Sequence, residues 1–180
     1  MSEGSSGARL GLIQIYTGDG KGKTTAALGL ALRACGHGLR TYIGQFLKRR
    51  SCGEMHSAKK LAPYLTIEQY GLDEYICKAE VTSEQKAAAQ HGLATARHAL
   101  LSNQYDIVIL DEIQVALNYN LLTEEEIIEV MECKPAHVEL IMTGRGASQT
   151  LIDRADLVTE MREVRHPLAR GIQARLGIEF

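Results

Sequence analysis

The chain has 180 residues, 45% of them hydrophobic, with a formal net charge of -2 and a pI near 6.3. That is enough apolar material for one α/β-sized core, and it argues against two domains. The charge balance gives no general footprint for nucleic acid, no apolar run approaches a membrane span, and no signal pattern opens the chain, so the expected location is cytoplasmic.

Residues 1–9 are mostly small and polar and read as a flexible leader; residues 10–180 read as a single domain. An apolar stretch, Leu10 to Ile15, has the length of a strand. It enters Tyr16-Thr17-Gly18-Asp19-Gly20-Lys21-Gly22-Lys23-Thr24-Thr25, and an Ala- and Leu-rich helix follows. Strand, glycine loop and helix form the context of a phosphate-binding loop: turning backbone N–H groups and the helix N-terminus favour an anion. Lys23 supplies a mobile cation and Thr24 a hydroxyl able to ligate Mg²⁺. Thr17 stands where the general Gly-x4-Gly-Lys-Ser/Thr pattern asks for its first glycine, while Gly18, Gly20 and Gly22 alternate after it and Lys21 adds a second cation. The plain alternative is a glycine-rich helix entry without a ligand.

The helix should stop near Cys35-Gly36-His37-Gly38, and Thr41 to Leu47 is β-branched and aromatic enough for a second strand. Lys48-Arg49-Arg50-Ser51-Cys52-Gly53-Glu54 reads as a basic loop, either solvated or placed at the ligand crevice beyond a strand end. Leu65 to Gly71 alternates as a half-buried strand, with a charged and aromatic loop over 72–80. Thr82 and Gln85 fit a capping box for a helix to about Leu101; His91 and His98 on it are read as surface or packing residues. The four cysteines form no C-x-x-C pair and read as reduced structural thiols.

Ile107-Val108-Ile109-Leu110-Asp111-Glu112 is an apolar run ending in two carboxylates, as expected of a central parallel strand whose end meets a Mg-nucleotide. A helix N-cap is the competing reading of the two acids. Thr123 to Glu126 is a second capping box, opening a helix to about Cys133. Val138 to Thr143 reads as a strand entering Gly144-Arg145-Gly146, where the Arg145 fork can pair with phosphate. A short helix over 148–154 and a last strand over 157–161 complete the alternation, and the residues after 170 show no periodicity. Strands alternating with helices imply a mainly parallel sheet with helices on both faces, a three-layer α/β fold.

The loop with Thr17 in place of glycine, Gln45-Phe46-Leu47-Lys48, Leu110-Asp111-Glu112-Ile113, Thr143-Gly144-Arg145, Ala155 to Met161, and His166-Pro167 through the terminal Gly171-Ile172-x-Ala174-x-x-Gly177-Ile178-Glu179 together resemble the ATP:corrinoid adenosyltransferases of the P-loop type. The resemblance implies a RecA-like P-loop NTPase fold. It also implies transfer of the 5′-deoxyadenosyl group of ATP to the Co(I) of a corrinoid, with release of triphosphate. Mg²⁺ or Mn²⁺, a reductase or flavin delivering electrons to cobalt, and a homodimer come with it. Carried onto this chain, Thr17 to Thr25 and Arg145 would bind the triphosphate, and Lys23, Thr24 and Glu112 would be the catalytic set. Thr24 and Glu112 would hold the metal, with Asp111 supporting it or reaching it through water. Many relatives follow the third strand with an aromatic residue and a Trp beneath the cobalt; this chain has no Trp, leaving Tyr70 or Tyr75 as stand-ins. A P-loop ATPase or small-molecule kinase attacking the γ-phosphate is the main alternative, and a carrier or sensor without turnover is a third.

Overall fold

A computed structural model describes residues 11–72, 78 and 80–179. The expected leader and Tyr75 therefore lie outside the described residues. Six strands are described: β1 (Ile13–Thr17), β2 (Thr41–Phe46), β3 (Leu65–Tyr70), β4 (Ile107–Asp111), β5 (Glu139–Thr143) and β6 (Leu157–Glu160). They form one sheet in the order β3-β2-β4-β5-β1-β6, with every pairing parallel. The helices are α1 (Lys23–Cys35), α2 (Gly53–Leu61), α3 (Ser83–Leu101), α4 (Ile113–Asn118), α5 (Glu124–Glu132) and α6 (Gln149–Ile152), followed by a 3₁₀ turn over Pro167–Arg170.

The central strand β4 shows why two helical layers are required. Ile107 and Ile109 pack with Ala27, Ala31 and Ala34 of α1 and Ala58 of α2, whereas Val108 and Leu110 pack with residues of α3, α4 and α5. Alternate side chains of a strand leave opposite faces, so a strand apolar at every position is stable only when both faces are covered. The small residues of α1 recur at helical spacing and bring that helix close to the sheet. Both expected capping boxes are present, Thr82 with Gln85 and Thr123 with Glu126.

Two helices were absent from the sequence reading. Helix α2 occupies part of the region read as loop; Cys52 is its N-cap without a side-chain bond, and Ala58 is its only buried residue. Helix α4 begins directly after β4, with Glu112 in the left-handed region at φ 63°. The structure reconciles the two readings of the acidic pair: Glu112 is an N-cap by position, yet its side chain makes no capping bond.

Candidate active site

All strands point the same way, so the loops after β1, β2, β4 and β5 meet at one edge, where parallel α/β sheets place their ligands. A cavity of about 1300 Å³ opens there. Its walls include Gly20 to Thr25 of the loop, Lys48 after β2, Glu54 of α2, Glu112 after β4, Arg145 after β5, and His166 with Gly177 to Glu179 from the C-terminal segment.

The loop is held from behind as well as by its own turns. Gly20 N–H donates to the Met161 carbonyl at 2.7 Å. A Cβ added to Gly18 would lie 2.5 Å from that same oxygen, and one added to Gly20 would lie 2.7 Å from it. These two glycines therefore admit the chain that follows β6, independently of any phosphate. Thr17 is turned away from the cavity: its Oγ1 accepts from Ala147 N–H at 3.2 Å, tying the β1 end to the loop after β5. Gly18 and Asp19 also lie off the cavity wall.

Lys23 is 7% exposed, and its Nζ donates to the carbonyls of Gly18 (2.7 Å) and Gly20 (2.6 Å). Burial pulls its pKa below the ordinary lysine value, partly offset by the nearby Glu112. Thr24 Oγ1 donates to Asp111 Oδ1 at 2.7 Å, which leaves its lone pairs available to a cation. Asp111 is 1% exposed and satisfied on both oxygens. Thr143 Oγ1 also reaches Oδ1 at 2.7 Å, while Lys48 Nζ and Gln45 Nε2 reach Oδ2 at 3.0 and 3.2 Å. Burial pulls the Lys48 pKa down, but the Asp111 carboxylate beside it, joined by Glu54 and Glu112, more than compensates, and the net shift is upward. The basic segment after β2 thus divides. Lys48 enters the crevice, while Arg49 and Arg50 are exposed.

Glu112 faces the cavity, and among the described residues its carboxylate has no hydrogen-bond partner. Desolvation raises its pKa, with the Asp111 charge adding to the rise. A carboxylate that is costly to ionise alone, next to a hydroxyl whose proton is already committed, fits a divalent cation. Among the described residues no three His, Cys, Asp or Glu side chains form a closed metal cage. Mg²⁺, which takes most of its ligands from phosphate and water, would need no more protein oxygens than those of Thr24 and Glu112. Arg145 is exposed on the rim, where Asn118 Nδ2 donates to the carbonyls of Arg145 (2.8 Å) and Gly146 (3.2 Å).

Tyr70 does not reach this site. Its hydroxyl bonds Tyr42 and Glu68, its ring packs beside Phe46, and it is 9% exposed, so it belongs to the core. Sequence reasoning placed Glu54 in the basic loop and His166 and Gly177 to Glu179 in the C-terminal motif without giving any of them a role; the structure brings all of them to the cavity wall. The isolated cation Lys21 was the available clue, since Glu179 Oε1 lies 2.9 Å from its Nζ.

A parallel sheet, a glycine loop opening α1, a buried lysine in that loop and an aspartate on the β4 end bonded to the loop threonine define a P-loop nucleotide-binding protein. The fold is similar to that of a KaiC-like protein, PH0186, from Pyrococcus horikoshii, with a TM-score of 0.54 and 17% identity over 85% of this chain and 74% of the other. Residues 9–180 match the family described as ATP:corrinoid adenosyltransferase BtuR/CobO/CobP, and the chain belongs to it. It is 34% identical to the corrinoid adenosyltransferase CobA of Salmonella typhimurium, covering 94% of this chain and 86% of that protein. It is 33% identical to the corrinoid adenosyltransferase of Escherichia coli K12 with the same coverage. It is also 31% identical to that of Pseudomonas aeruginosa, covering 94% of this chain and 84% of that protein. Among the described residues no helix is long and apolar enough to cross a membrane.

Proposed function

We propose that this protein transfers the 5′-deoxyadenosyl group of ATP to the cobalt of a reduced corrinoid and releases triphosphate. The observation that carries the reading is the family match over residues 9–180, on a chain whose phosphate loop and acidic strand end face one cavity. Nucleophilic attack must fall on the ribose 5′ carbon and not on the γ-phosphorus. The triphosphate therefore lies in the loop reversed relative to a hydrolysing enzyme, with the adenosyl end toward the open side. Co(I) is itself a strong nucleophile, so no protein base is required; catalysis rests on positioning, charge stabilisation and exclusion of water.

In this reading Gly18 to Thr25 wrap the triphosphate, with Gly20 to Thr25 supplying the cavity-facing part, and Thr17 shapes the loop from outside. Lys23, aided by Lys21 and Arg145, stabilises the leaving triphosphate. Thr24 and Glu112 hold Mg²⁺ or Mn²⁺, and Asp111 orients Thr24. The metal supplies charge neutralisation of the phosphate oxygens. The protein works as a cytoplasmic homodimer, and a reductase or flavin delivers the electrons to cobalt.

The test is anaerobic incubation with ATP, Mg²⁺ and chemically reduced corrinoid, following the corrinoid spectrum together with the phosphorus NMR of the products. Light-sensitive adenosylcorrinoid and intact triphosphate are expected. ADP and phosphate with an unchanged corrinoid would overturn the reading in favour of γ-phosphate chemistry.

A further inference from the structure

The phosphate loop carries two lysines, and they are held differently. Lys23 is folded onto carbonyls of its own loop, but Lys21 reaches across the cavity mouth to the C-terminal segment. Its Nζ donates to Glu179 Oε1 at 2.9 Å and to the Ile178 carbonyl at 3.3 Å. Glu179 is in turn fixed by Arg175: the backbone N–H and Nε reach Oε2 at 2.7 and 3.3 Å, and Nη2 reaches Oε1 at 3.0 Å. Arg175, then Lys21, hold the Glu179 pKa down to about 2, so it stays anionic at any working pH. Gly177, Ile178 and Glu179 line the same cavity as Gly20 to Thr25.

A carboxylate at the mouth of an anion cradle has the sign of charge that the ligand brings. It weakens the site if it merely sits there, but it has a use if it and the ligand take turns on one cation. We propose that Glu179 is a positioning residue that competes with linear polyphosphate for Lys21, making the C-terminal segment a releasable strap over the phosphate loop. Polyphosphate entry then transfers Lys21 from carboxylate to phosphate, and recapture of Lys21 by Glu179 speeds departure of the triphosphate. Both residues are exposed, with 45% of the Lys21 side chain and 24% of the Glu179 side chain open to solvent, so the exchange needs no disruption of the core. The inference rests on the phosphate reading of the loop, but not on the transfer chemistry.

The test is binding of inorganic triphosphate with Mg²⁺ to the whole protein, by calorimetry and by stopped-flow displacement, without corrinoid. An exposed ion pair is a modest competitor, so Glu179→Gln should tighten triphosphate by about threefold to fivefold at low salt and slow its release correspondingly. The gain should shrink as ionic strength rises. Lys21→Met should weaken binding, and in that background Glu179→Gln should change nothing. Weaker binding in Glu179→Gln would overturn the proposal, because it would make the segment a plain wall. A gain that persists with Lys21→Met would overturn it too, showing simple repulsion or a freed Arg175 in place of competition. If the unaltered protein binds no triphosphate, the phosphate reading falls and the strap with it.

Discussion

The cavity wall formed by the phosphate loop and the end of β4 is built outward from the core, whereas the wall formed by residues 175–179 is built from surface charge. Asp111 is 1% exposed and accepts four hydrogen bonds, two of them from the loop threonine Thr24 and from Thr143 of β5. Glu179 is held by ion pairs with Arg175 and Lys21, on a segment whose large apolar residues Leu176 and Ile178 are 82% and 57% exposed. Buried, fully satisfied polar groups resist change because breaking one leaves the others unpaired, whereas exposed pairs exchange partners at little cost. One wall is thus suited to holding reacting atoms in place, and the other to opening and closing on them.

The sharpest way to break this contrast is Lys23→Ala. On the rigid wall it should lower turnover by roughly 100- to 1000-fold, the usual scale for one lost electrostatic contact to developing charge. Near-normal turnover would mean that the loop lysine does no chemistry. Next is Glu112→Gln, which should lower turnover while raising thermal stability, a pair of effects that only a functional burial produces. The sign follows from the raised pKa of Glu112. Between the ordinary carboxylate pKa and the higher folded value, the native state binds more protons than the unfolded one, so stability falls as pH rises through that window. Glutamine removes the cost. The same shift means that the apparent Mg²⁺ requirement should climb as pH falls toward the ordinary carboxylate range, and the Gln variant should lose that dependence; a melting temperature that drops would contradict the account. Smallest of all is His98→Ala, on an exposed turn of α3 away from either wall, which should leave turnover and melting temperature within error.

Most of the rigid wall was legible in the sequence. A glycine loop between an apolar run and an Ala-rich helix, and a continuous apolar strand ending in Asp111-Glu112, each have few structural meanings, and the sheet joined them as their spacing implied. Local chemistry also announced α3 and α5 through their capping boxes. By contrast α2 opens on a glycine after an uncapped cysteine and buries one residue, so neither periodicity nor a cap signals it. The reading of Thr17 as a ligand-facing residue met a different limit. Its exposure and bonding depend on Ala147, which is 130 residues away. Likewise Gly18 and Gly20 looked like concessions to phosphate, but the close approach of Met161 already demands them. The terminal Gly177-Ile178-Glu179 entered only as a motif of the resemblance; its contact with Lys21 was not legible, because an exposed segment needs no apolar pattern and the partner lies 158 residues away.

The bonds that Lys23 makes to its own loop bear on which kinetic constant it governs. Its ammonium already holds two carbonyls, so accepting a triphosphate exchanges one set of hydrogen bonds for another of similar kind. An exchange contributes little to ground-state affinity. The leaving triphosphate, however, gains charge as the 5′ carbon departs, and there the lysine has something new to neutralise. Its loss should therefore be felt in kcat far more than in the KM for ATP, the mark of an interaction reserved for the transition state.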